Sequence, residues 1–247
     1  MIVSEEPIAL QKLLQSFGRW NRDELRLCIA QGRVTVDGVV ETRFAAPVDP
    51  AAQIVVDGVP ATPEQTWVVL MHKPKAHITA RDADEQYPGL AQYLPDDAPW
   101  LFPVGRLDAA SEGALLWTNH GALGRRILHP DFGIVKRYAV KLRDRLEPDD
   151  RRFALLTRGL TLQGQTLRAL RVRWRELRTR ATWIEIQLDE GKNREIRRLC
   201  VAAGFQIVKL RREAVGPVEL RDLRPRCCRR LSDVEVQMLL RHVGLPA

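Results

Sequence analysis

The sequence lacks the features that mark membrane, secreted and disulfide-rich proteins. It has no run of eighteen apolar residues, which excludes a transmembrane helix. Its first residues contain no basic segment followed by an apolar stretch, so no secretion signal is expected. The four cysteines form no C-x-x-C pair or other metal-like spacing, and the adjacent Cys227 and Cys228 are poor disulfide partners. These absences predict reduced thiols in a cytoplasmic protein.

The motifs of common cofactor sites are missing as well. There is no Gly-x-x-x-x-Gly-Lys-Ser/Thr loop, no Gly-x-Gly-x-x-Gly dinucleotide motif and no serine nucleophile elbow. The five histidines lack the His-x-x-x-His or similar spacing of metal ligands. We therefore expect no cofactor and no metal, and a reaction such as an isomerisation or a simple nucleophilic displacement.

The charge of the chain is strongly basic and unevenly distributed. The formal net charge is +8, yet residues 1–60 carry six basic and eight acidic side chains, a net of −2, so the remainder carries +10. Much of that excess is arginine between Arg168 and Arg230. Arginine makes bidentate contacts with phosphates and stacks on bases. The excess therefore favours a nucleic-acid partner over a merely solvated basic surface.

The first sixty residues predict two helices followed by a small sheet. Apolar residues at helical spacing over Ile8–Phe17, ended by Gly18, indicate the first helix, and Asn21 with a glutamate three residues on forms a capping box for the second. Two alternating runs around Asp37-Gly38 indicate a hairpin, and a further predicted strand, Ile54–Val56, leads to a second Asp-Gly pair at 57–58. This pattern predicts a compact α+β segment.

The second segment begins after Pro60-Ala-Thr-Pro63 and mixes strands and helices without a regular βαβ rhythm. Apolar or alternating runs indicate strands at Trp67–Met71, Leu115–Trp117, Tyr138–Leu142, Ile184–Leu188 and Phe205–Leu210. Helical spacing predicts helices over Arg194–Ala203 and from Ser232 to about His242. We therefore predict a mixed, mostly antiparallel sheet flanked by helices, and an α+β fold class for the whole chain.

The motif Gly32-Arg33-Val-Thr-Val-Asp-Gly38 follows the predicted helix pair. In this respect the first segment resembles the S4-type RNA-binding domain, whose hallmark is a helix pair followed by "GrVxVnG". The resemblance implies a small S4-type RNA-binding domain over residues 1–61 and a catalytic domain over 62–247, with Arg22 and Arg33 as RNA contacts. The arginine usual at the start of the first helix is replaced by Ile8-Ala9-Leu10, and the Ser-Arg usual before the second helix is Asn21-Arg22 here. Because the segment is also acidic, we expect it to bind RNA weakly or mainly to orient it.

The densest unusual stretch runs from Val104 to Asn119 and reads VGRLDAASEGALLWTN. Asp108 lies close to Arg106 in a loop bracketed by glycines, directly before an apolar strand. Taken alone, an aspartate in such a place is more often a loop or capping residue than a catalyst.

This stretch resembles the "GRLDxxTxGLLLLTNDG" signature of the RsuA/RluB-type pseudouridine synthases of ribosomal RNA, which include RluE- and RluF-like enzymes. Three other stretches agree in order: Leu70–Pro74 is similar to "lNKP", His129–Tyr138 to "hP…K.Y" and Glu190–Arg198 to "EGrNrQiRRm". The resemblance covers nearly the whole chain. It implies a bacterial, cytoplasmic isomerase whose pseudouridine synthase domain converts one uridine of ribosomal RNA to pseudouridine. It also implies an enzyme that needs no cofactor, does not contact a membrane and is a monomer.

The sequence departs from these motifs at four positions. Ser111 replaces threonine, Ala114 replaces a common leucine, His120 replaces the aspartate of "TNDG" and Glu195 replaces glutamine. None of these changes removes a catalytic residue type. Glu195, however, is expected to place a negative charge near the path of the RNA phosphates.

The resemblance implies a role for each matching residue. Asp108 is the catalytic carboxylate, acting as nucleophile or base, and Arg197 faces it, since a nearby cation keeps a carboxylate ionised. Tyr138 stacks on the uracil and assists the proton change at its carbon 5. Arg106 fills the space left when the target base flips out of its helix. Without the motifs, Arg197 would be interpreted as a phosphate contact, Tyr138 as an ordinary strand tyrosine and Arg106 as part of a structural salt bridge.

Six further residues are expected to contact RNA: Lys73, Lys136, Lys192, Asn193, Arg194 and Arg198. Arg194, Arg197 and Arg198 share one helix face by their spacing, where like charges repel unless a carboxylate and phosphates lie opposite.

Two other classes of protein stay open. A non-catalytic RNA-binding or ribosome-assembly protein needs only the basic surface and the first domain, although such a protein has no use for an acid in a phosphate-binding cleft. A different RNA-modifying enzyme, such as a methyltransferase, is disfavoured by the missing glycine-rich cofactor loop. The motifs do not identify the uridine or the ribosomal subunit.

Overall fold

The computed structural model describes residues 7–17, 19–49, 51–62, 65–178 and 181–246. They form two compact units. The first comprises the residues through Val68 together with Asp97–Phe102 and Thr118–Ala122; the second comprises Val69–Asp96, Pro103–Trp117 and the residues from Leu123 onward. The first unit thus includes more than residues 1–61. Gly18 and Pro63, at which we predicted a helix end and the end of the boundary segment, lie outside the described residues.

The helical part of the first unit consists of α1 over Leu10–Ser16 and α2 over Arg22–Ala30. Asn21 Oδ1 accepts the N–H groups of the second and third residues that follow, each at 2.9 Å, and the Glu24 carboxylate accepts the N–H of Asn21 at 2.8 Å. The predicted capping box is therefore confirmed. Leu10, Leu14, Leu25 and Ile29 are fully buried where the two helices meet the strands of this unit.

The strands of the first unit are β1 (Ile8–Ala9), β2 (Val34–Val36), β3 (Val39–Val40), β4 (Pro47–Val48), β5 (Ile54–Val56) and β6 (Val59–Pro60). Four form an antiparallel sheet in the order β3-β2-β5-β6. Asp37-Gly38 and Asp57-Gly58 all have positive φ, as a two-residue primed turn requires. The predicted hairpin at 37–38 is confirmed, and β5 and β6 form a second hairpin at 57–58. The first helix starts later than predicted because Ile8 and Ala9 are extended and pair with β4.

The second unit contains the large sheet, whose strands are β7 (Val68–Lys73), β8 (Phe102–Val104), β9 (Glu112–Thr118), β10 (Lys136–Leu142), β13 (Arg171–Arg178), β14 (Ala181–Leu188), β15 (Ile207–Val215), β16 (Val218–Glu219) and β17 (Cys228–Arg230). A separate hairpin joins β11 (Leu160–Leu162) and β12 (Gln165–Leu167). The order is β13-β14-β10-β15-β9-β7-β17, with β16 beside β15 and β8 beside β9. Of the pairings with a defined register here, β15 with β9 is parallel and the rest are antiparallel. The predicted mixed, mostly antiparallel sheet is confirmed.

Four helices accompany this sheet: α3 (Gly121–Leu128), α4 (Arg152–Arg158), α5 (Glu195–Ala202) and α6 (Asp233–His242). Ser232 and Glu235 form the predicted capping box of α6. Within the described ranges, no helix is both long and apolar enough to cross a membrane.

One face of β10, β14 and β15 packs against α5. Alternate strand residues and one side of the helix form this core: Tyr138, Val140, Leu142, Ile184, Ile186, Leu188, Ile196, Leu199, Cys200 and Leu210. Each fully buried leucine or isoleucine contributes about 1.5–3 kcal/mol to stability. The packing thereby fixes α5 against the strand that carries Tyr138.

The intervening residues of these strands carry charges that pair across the sheet. Arg175 binds Glu185 and Glu213 at 2.6 and 2.7 Å, and Arg211 binds Glu213 at 2.7 Å. The pairs Lys209–Glu112 and Arg137–Glu219 add to this network. Several arginines of the basic excess are therefore bound within the sheet rather than displayed as phosphate contacts.

Candidate active site

The loop that carries Asp108 connects β8 to β9 and is held by hydrogen bonds at both ends. The Ser111 N–H donates to the Asp108 carbonyl at 2.9 Å, and the Thr79 hydroxyl exchanges hydrogen bonds with the backbone of Leu107 at 2.8 and 3.0 Å. Gly105 has φ +78°, and a Cβ there would lie 2.7 Å from Leu128 Cδ2. The glycine before the loop is thus required by both backbone conformation and space.

Lys73 fixes this loop from inside the protein. Its side chain is 0% exposed, and Nζ donates to the carbonyl oxygens of Pro74, Asp108 and Ser111 at 3.0, 3.2 and 3.0 Å. Burial lowers the pKa of Lys73 to about 8, and the charge of Asp108 opposes that shift. The predicted phosphate contact is wrong for this residue, because a buried ammonium with three carbonyl partners does not face RNA.

The Asp108 carboxylate lies between two guanidinium groups, and its side chain is 34% exposed. Oδ2 is 3.7 Å from Arg197 Nε and 3.8 Å from Arg194 Nη1. Arg197 is oriented by its other end, since Nη2 donates to Ser111 Oγ at 3.0 Å and to the Ala110 carbonyl at 3.1 Å. Burial lowers the pKa of Arg197, whereas Asp108 raises it. The structure therefore places the predicted arginine beside the predicted carboxylate.

Asp108 and Tyr138 line the same cavity, which has a volume of about 360 Å³. Tyr138 lies on β10 with its ring largely buried, and Arg106 lies exposed on the lining loop. Arg194 and Arg197 line this cavity as well. The carboxylate, the aromatic ring and the two arginines are thus brought together from segments far apart in the chain.

A pair of glutamates forms another part of the cavity wall. Glu195 is 3% exposed and accepts the Lys192 N–H at 3.1 Å, and Glu190 binds Lys192 Nζ at 2.6 Å. Burial and the neighbouring Glu190 raise the pKa of Glu195 to about 7. If Glu190 and Glu195 are both ionised, Glu195 Oε1 has no hydrogen-bond partner among the described residues. A hydrogen bond between the two carboxyl groups requires one of them to hold a proton. Glu195, expected to place a negative charge near the RNA phosphates, is therefore a buried carboxyl group of the cavity wall.

The remaining cations predicted to bind RNA have unequal surroundings. Lys136 is buried in the cavity wall, and its Nζ donates to the Asp189 carbonyl at 3.3 Å. Asn193 and Arg194 are exposed, and Arg194 has φ +47° and precedes α5 instead of lying within it. Arg198 turns away and donates to Gln165 Oε1 at 2.8 Å. The expectation that three arginines share one face is therefore wrong for Arg198.

Arg22 and Arg33, the predicted RNA contacts of the first unit, also differ. Arg22 is exposed at the start of α2. Arg33 makes a two-pronged contact with Asp57, in which Nε and Nη2 are each 2.5 Å from a carboxylate oxygen. The guanidinium of Arg33 is thus already neutralised.

Sequence reasoning missed Arg212, which also lines the cavity. It lies on β15 between Leu210 and Ala214, on the face that packs into the protein. A longer strand prediction would have found it, since alternation from Leu210 places an arginine at a buried position. The strand that we predicted ended at Leu210.

Comparison with known proteins agrees with this arrangement. Residues 67–202, more than half of the chain, match the family described as RNA pseudouridylate synthase. The chain belongs to the RNA pseudouridine synthase family, whose members are isomerases.

Two bacterial relatives match over nearly their whole length. An uncharacterized RNA pseudouridine synthase of Aquifex aeolicus is 31% identical over 240 residues, 96% of each chain. Ribosomal large subunit pseudouridine synthase B of Bacillus subtilis is 30% identical over 232 residues, 93% of this chain and 94% of its own. A crystal structure of a pseudouridylate synthase has a TM-score of 0.65 at 24% identity, over 94% of this chain and 99% of that one, and shows the shared fold.

Proposed function

We propose that this enzyme converts a specific uridine of ribosomal RNA to pseudouridine and that Asp108 is its catalytic carboxylate. The observation that carries the proposal is the position of the Asp108 carboxylate, at the wall of a cavity shared with Tyr138 and within 4 Å of Arg194 and Arg197. The relative in Bacillus subtilis, named for the large ribosomal subunit, supports a ribosomal substrate. Assembling ribosomes lie in the cytoplasm, which is where we place the enzyme.

The reaction needs one ionised carboxylate and no input of energy. The bond between ribose C1′ and uracil N1 breaks, and its electron pair goes to the uracil ring. As a nucleophile, Asp108 bonds to C1′ as the C1′–N1 bond breaks and leaves again when C5 bonds to C1′; as a base, it takes a proton from the ribose and returns it when that bond forms. In either case the ring turns before C5 bonds to C1′, and a proton is then lost from C5 and gained at N1. A second carboxylate, as glycosidases use to protonate a leaving group and activate water, is not needed because the base never leaves the site.

Arg197 and Tyr138 support this carboxylate and the base. Arg197 lies beside the Asp108 carboxylate, and its hydrogen bonds to Ser111 and Ala110 hold the guanidinium in place. Tyr138 makes no hydrogen bond through its hydroxyl within the described part of the chain. In our proposal its ring stacks on the uracil, and its hydroxyl is available for the proton change at C5.

RNA contacts in this proposal come from basic and polar residues at or beside the cavity. Arg106 fills the stack that the target base leaves, and Arg194, Asn193 and Lys192 contact the RNA backbone. We further propose that residues 1–61 are an S4-type RNA-binding domain and 62–247 the catalytic domain. Because Arg33 is neutralised by Asp57, the first domain orients the RNA more than it holds it.

Replacing Asp108 with asparagine tests the proposal. Asp108→Asn keeps the shape of the side chain and removes its charge, so we expect conversion of uridine in ribosomal RNA to fall by at least about 10³-fold. Affinity for the RNA should stay within about threefold, because phosphate contacts supply most of it. Pseudouridine in RNA incubated with each variant, measured by mass spectrometry after digestion, gives the result. Full turnover by Asp108→Asn would remove Asp108 from the mechanism, and an inactive wild type would leave an RNA-binding protein.

A further inference from the structure

Arg212 is a buried cation in the cavity that no part of the proposed mechanism uses. Its residue is 6% exposed, yet it lines the same cavity as Asp108 and Tyr138. Arginine is almost never this buried unless it is paired with an acid. Its surroundings therefore call for an explanation.

The guanidinium of Arg212 is held on one side and lacks a partner on another. Nε donates to the Ala114 carbonyl at 2.6 Å, whereas Nη2 is buried and has no hydrogen-bond partner. No carboxylate of the described residues lies within ion-pair distance of it. A buried donor without a partner is costly, so this nitrogen is expected to gain one when the cavity is occupied.

The backbone behind Arg212 is equally constrained. Gly113 lies opposite Arg212 in the parallel pairing of β9 and β15, so closely that a Cβ on Gly113 would be 2.2 Å from the Arg212 carbonyl oxygen. The side chain thus starts from a fixed backbone and is anchored at Nε. A donor fixed in this way meets a developing charge without first having to reorganise.

The acids of the cavity are engaged elsewhere. Asp108 lies between Arg194 and Arg197, and Glu190 binds Lys192. Burial and the positive charge of Arg212 lower the pKa of Lys136, whereas the charges of Asp189 and Glu195 raise it. Arg212 itself has no ion pair among the described residues, which suits an anion supplied by the substrate.

We propose that Arg212 is a further catalytic residue, whose Nη2 donates a hydrogen bond to a carbonyl oxygen of the target uracil and stabilises the negative charge that the ring carries after it separates from ribose. This inference rests on the proposed function. When the C1′–N1 bond breaks, its electron pair is delocalised over N1 and the two ring oxygens. The guanidinium holds that charge until C5 bonds to C1′, and neither gains nor loses a proton itself.

An RNA phosphate is the less suitable ligand for this nitrogen. Phosphates remain on the RNA backbone, and exposed cations such as Arg106 and Arg194 are accessible to them. Arg212 is instead buried on the strand next to the one that carries Tyr138. A planar base that enters beside the tyrosine ring reaches this depth more easily than a hydrated phosphodiester.

The experiment compares Arg212→Met with wild type on RNA that contains either uridine or 5-fluorouridine at the target. On uridine we expect the single-turnover rate to fall by about 100-fold or more, as on removal of an oxyanion donor, with the RNA Kd within about threefold. On 5-fluorouridine, the reaction is measured as the disappearance of 5-fluorouridine from digested RNA. The fall in rate from wild type to Arg212→Met should be at least about tenfold smaller than on uridine, because fluorine itself stabilises the departing anion. Arg211→Met is the matched control, since its guanidinium pairs with Glu213.

Each other outcome overturns the inference. Equal losses on the two substrates would mean a structural role, and a weakened RNA Kd with a shallower salt dependence would mean a phosphate contact. If Arg212→Met does not fold, Arg212→Lys replaces it in the experiment, because one ammonium cannot bind both the Ala114 carbonyl and the uracil. The single-turnover rate of Arg212→Lys should fall about tenfold on uridine and less on 5-fluorouridine. A wild type that converts no uridine refutes the proposed function, whereas an active wild type matched by Arg212→Met refutes only this inference.

Discussion

At the residue scale, the buried ammonium of Lys73 determines where Asp108 lies. Its three N–H groups match three carbonyl oxygens, two of which belong to the loop between β8 and β9. An ammonium satisfied in this way tolerates burial, because each lost hydrogen bond to water is replaced. The loop that carries Asp108 can therefore be short and still rigid, which fixes the position of its carboxylate.

Glu195 gives the protein a pH-dependent stability. Its pKa in the folded protein, about 7, is above the usual value of 4.5, so the folded state binds more protons than the unfolded state between these values. The contribution of Glu195 to stability is therefore greatest at acidic pH and is lost as the pH rises to 7. The pKa of Glu190 is lowered, since Lys192 outweighs the effect of its burial, so Glu190 does not titrate in this range.

We predict that the free energy of unfolding of the wild type falls by roughly 1–3 kcal/mol between pH 5 and pH 8. Glu195→Gln should flatten this dependence, because a neutral amide has no proton to lose. Urea unfolding at several pH values measures the effect. Glu147→Gln, at an exposed position, is the control. A Glu195→Gln variant with the same pH dependence as the wild type would contradict the role given to this carboxyl group.

At the element scale, the parallel contact of β9 with β15 depends on Gly113. This glycine has φ +119°, and a Cβ would also lie 2.6 Å from the Arg212 backbone nitrogen. A side chain at this position must separate the two strands or distort both. The contact holds together the loop of Asp108, which precedes β9, and the strand of Arg212.

We expect Gly113→Ala to destabilise the protein by about 3 kcal/mol or more and to reduce activity further than stability alone explains. Gly121→Ala is the matched control, because a Cβ there meets nothing within 4 Å and alanine favours a helix. Urea unfolding and the single-turnover rate of the folded fraction are the measurements. Equal stability of the two variants would show that β9 and β15 can adjust at this point.

The sequence predicted elements well where a local pattern determines them. Capping boxes at Asn21 and Ser232 and the Asp-Gly hairpin at 37–38 were confirmed, because their chemistry is complete within a few residues. The resemblance to family motifs predicted that Arg197 faces Asp108, and the two side chains do lie next to each other in the structure. The sequence could not show that Lys73 is buried or that Arg198 turns away, because both depend on contacts with distant segments. Arg212 was missed because its strand was predicted too short.

At the scale of the whole molecule, the net charge is a poor guide to where RNA binds. Arg175 and Arg211 of the second segment are paired with glutamates on the sheet, and Arg33 is paired with Asp57. Exposed cations lie at the cavity, as Arg106 does, and also elsewhere on the second unit, as Arg143, Arg168 and Arg226 do. The contribution of each position to RNA binding therefore has to be tested one residue at a time.

We predict that Arg106→Gln reduces the slope of log Kobs against log salt by about 0.7–0.9, the value for one phosphate contact. Arg33→Gln should leave the slope almost unchanged, because Asp57 already neutralises that guanidinium. Fluorescence anisotropy of a labelled ribosomal RNA fragment over a series of salt concentrations gives both slopes. A larger change for Arg33→Gln would place the main phosphate contact in the first unit.

The pairing of Glu112 with Arg211 has a consequence for biosynthesis. The two residues are separated by about a hundred positions, so the strand after Asp108 is translated long before its partner. Contacts between such distant segments form slowly, after the chain has closed a long loop. A nascent chain that has emerged only as far as α4 or β14 therefore has an incomplete pocket. The pocket is therefore complete only after β15 has been synthesised and has paired with β9.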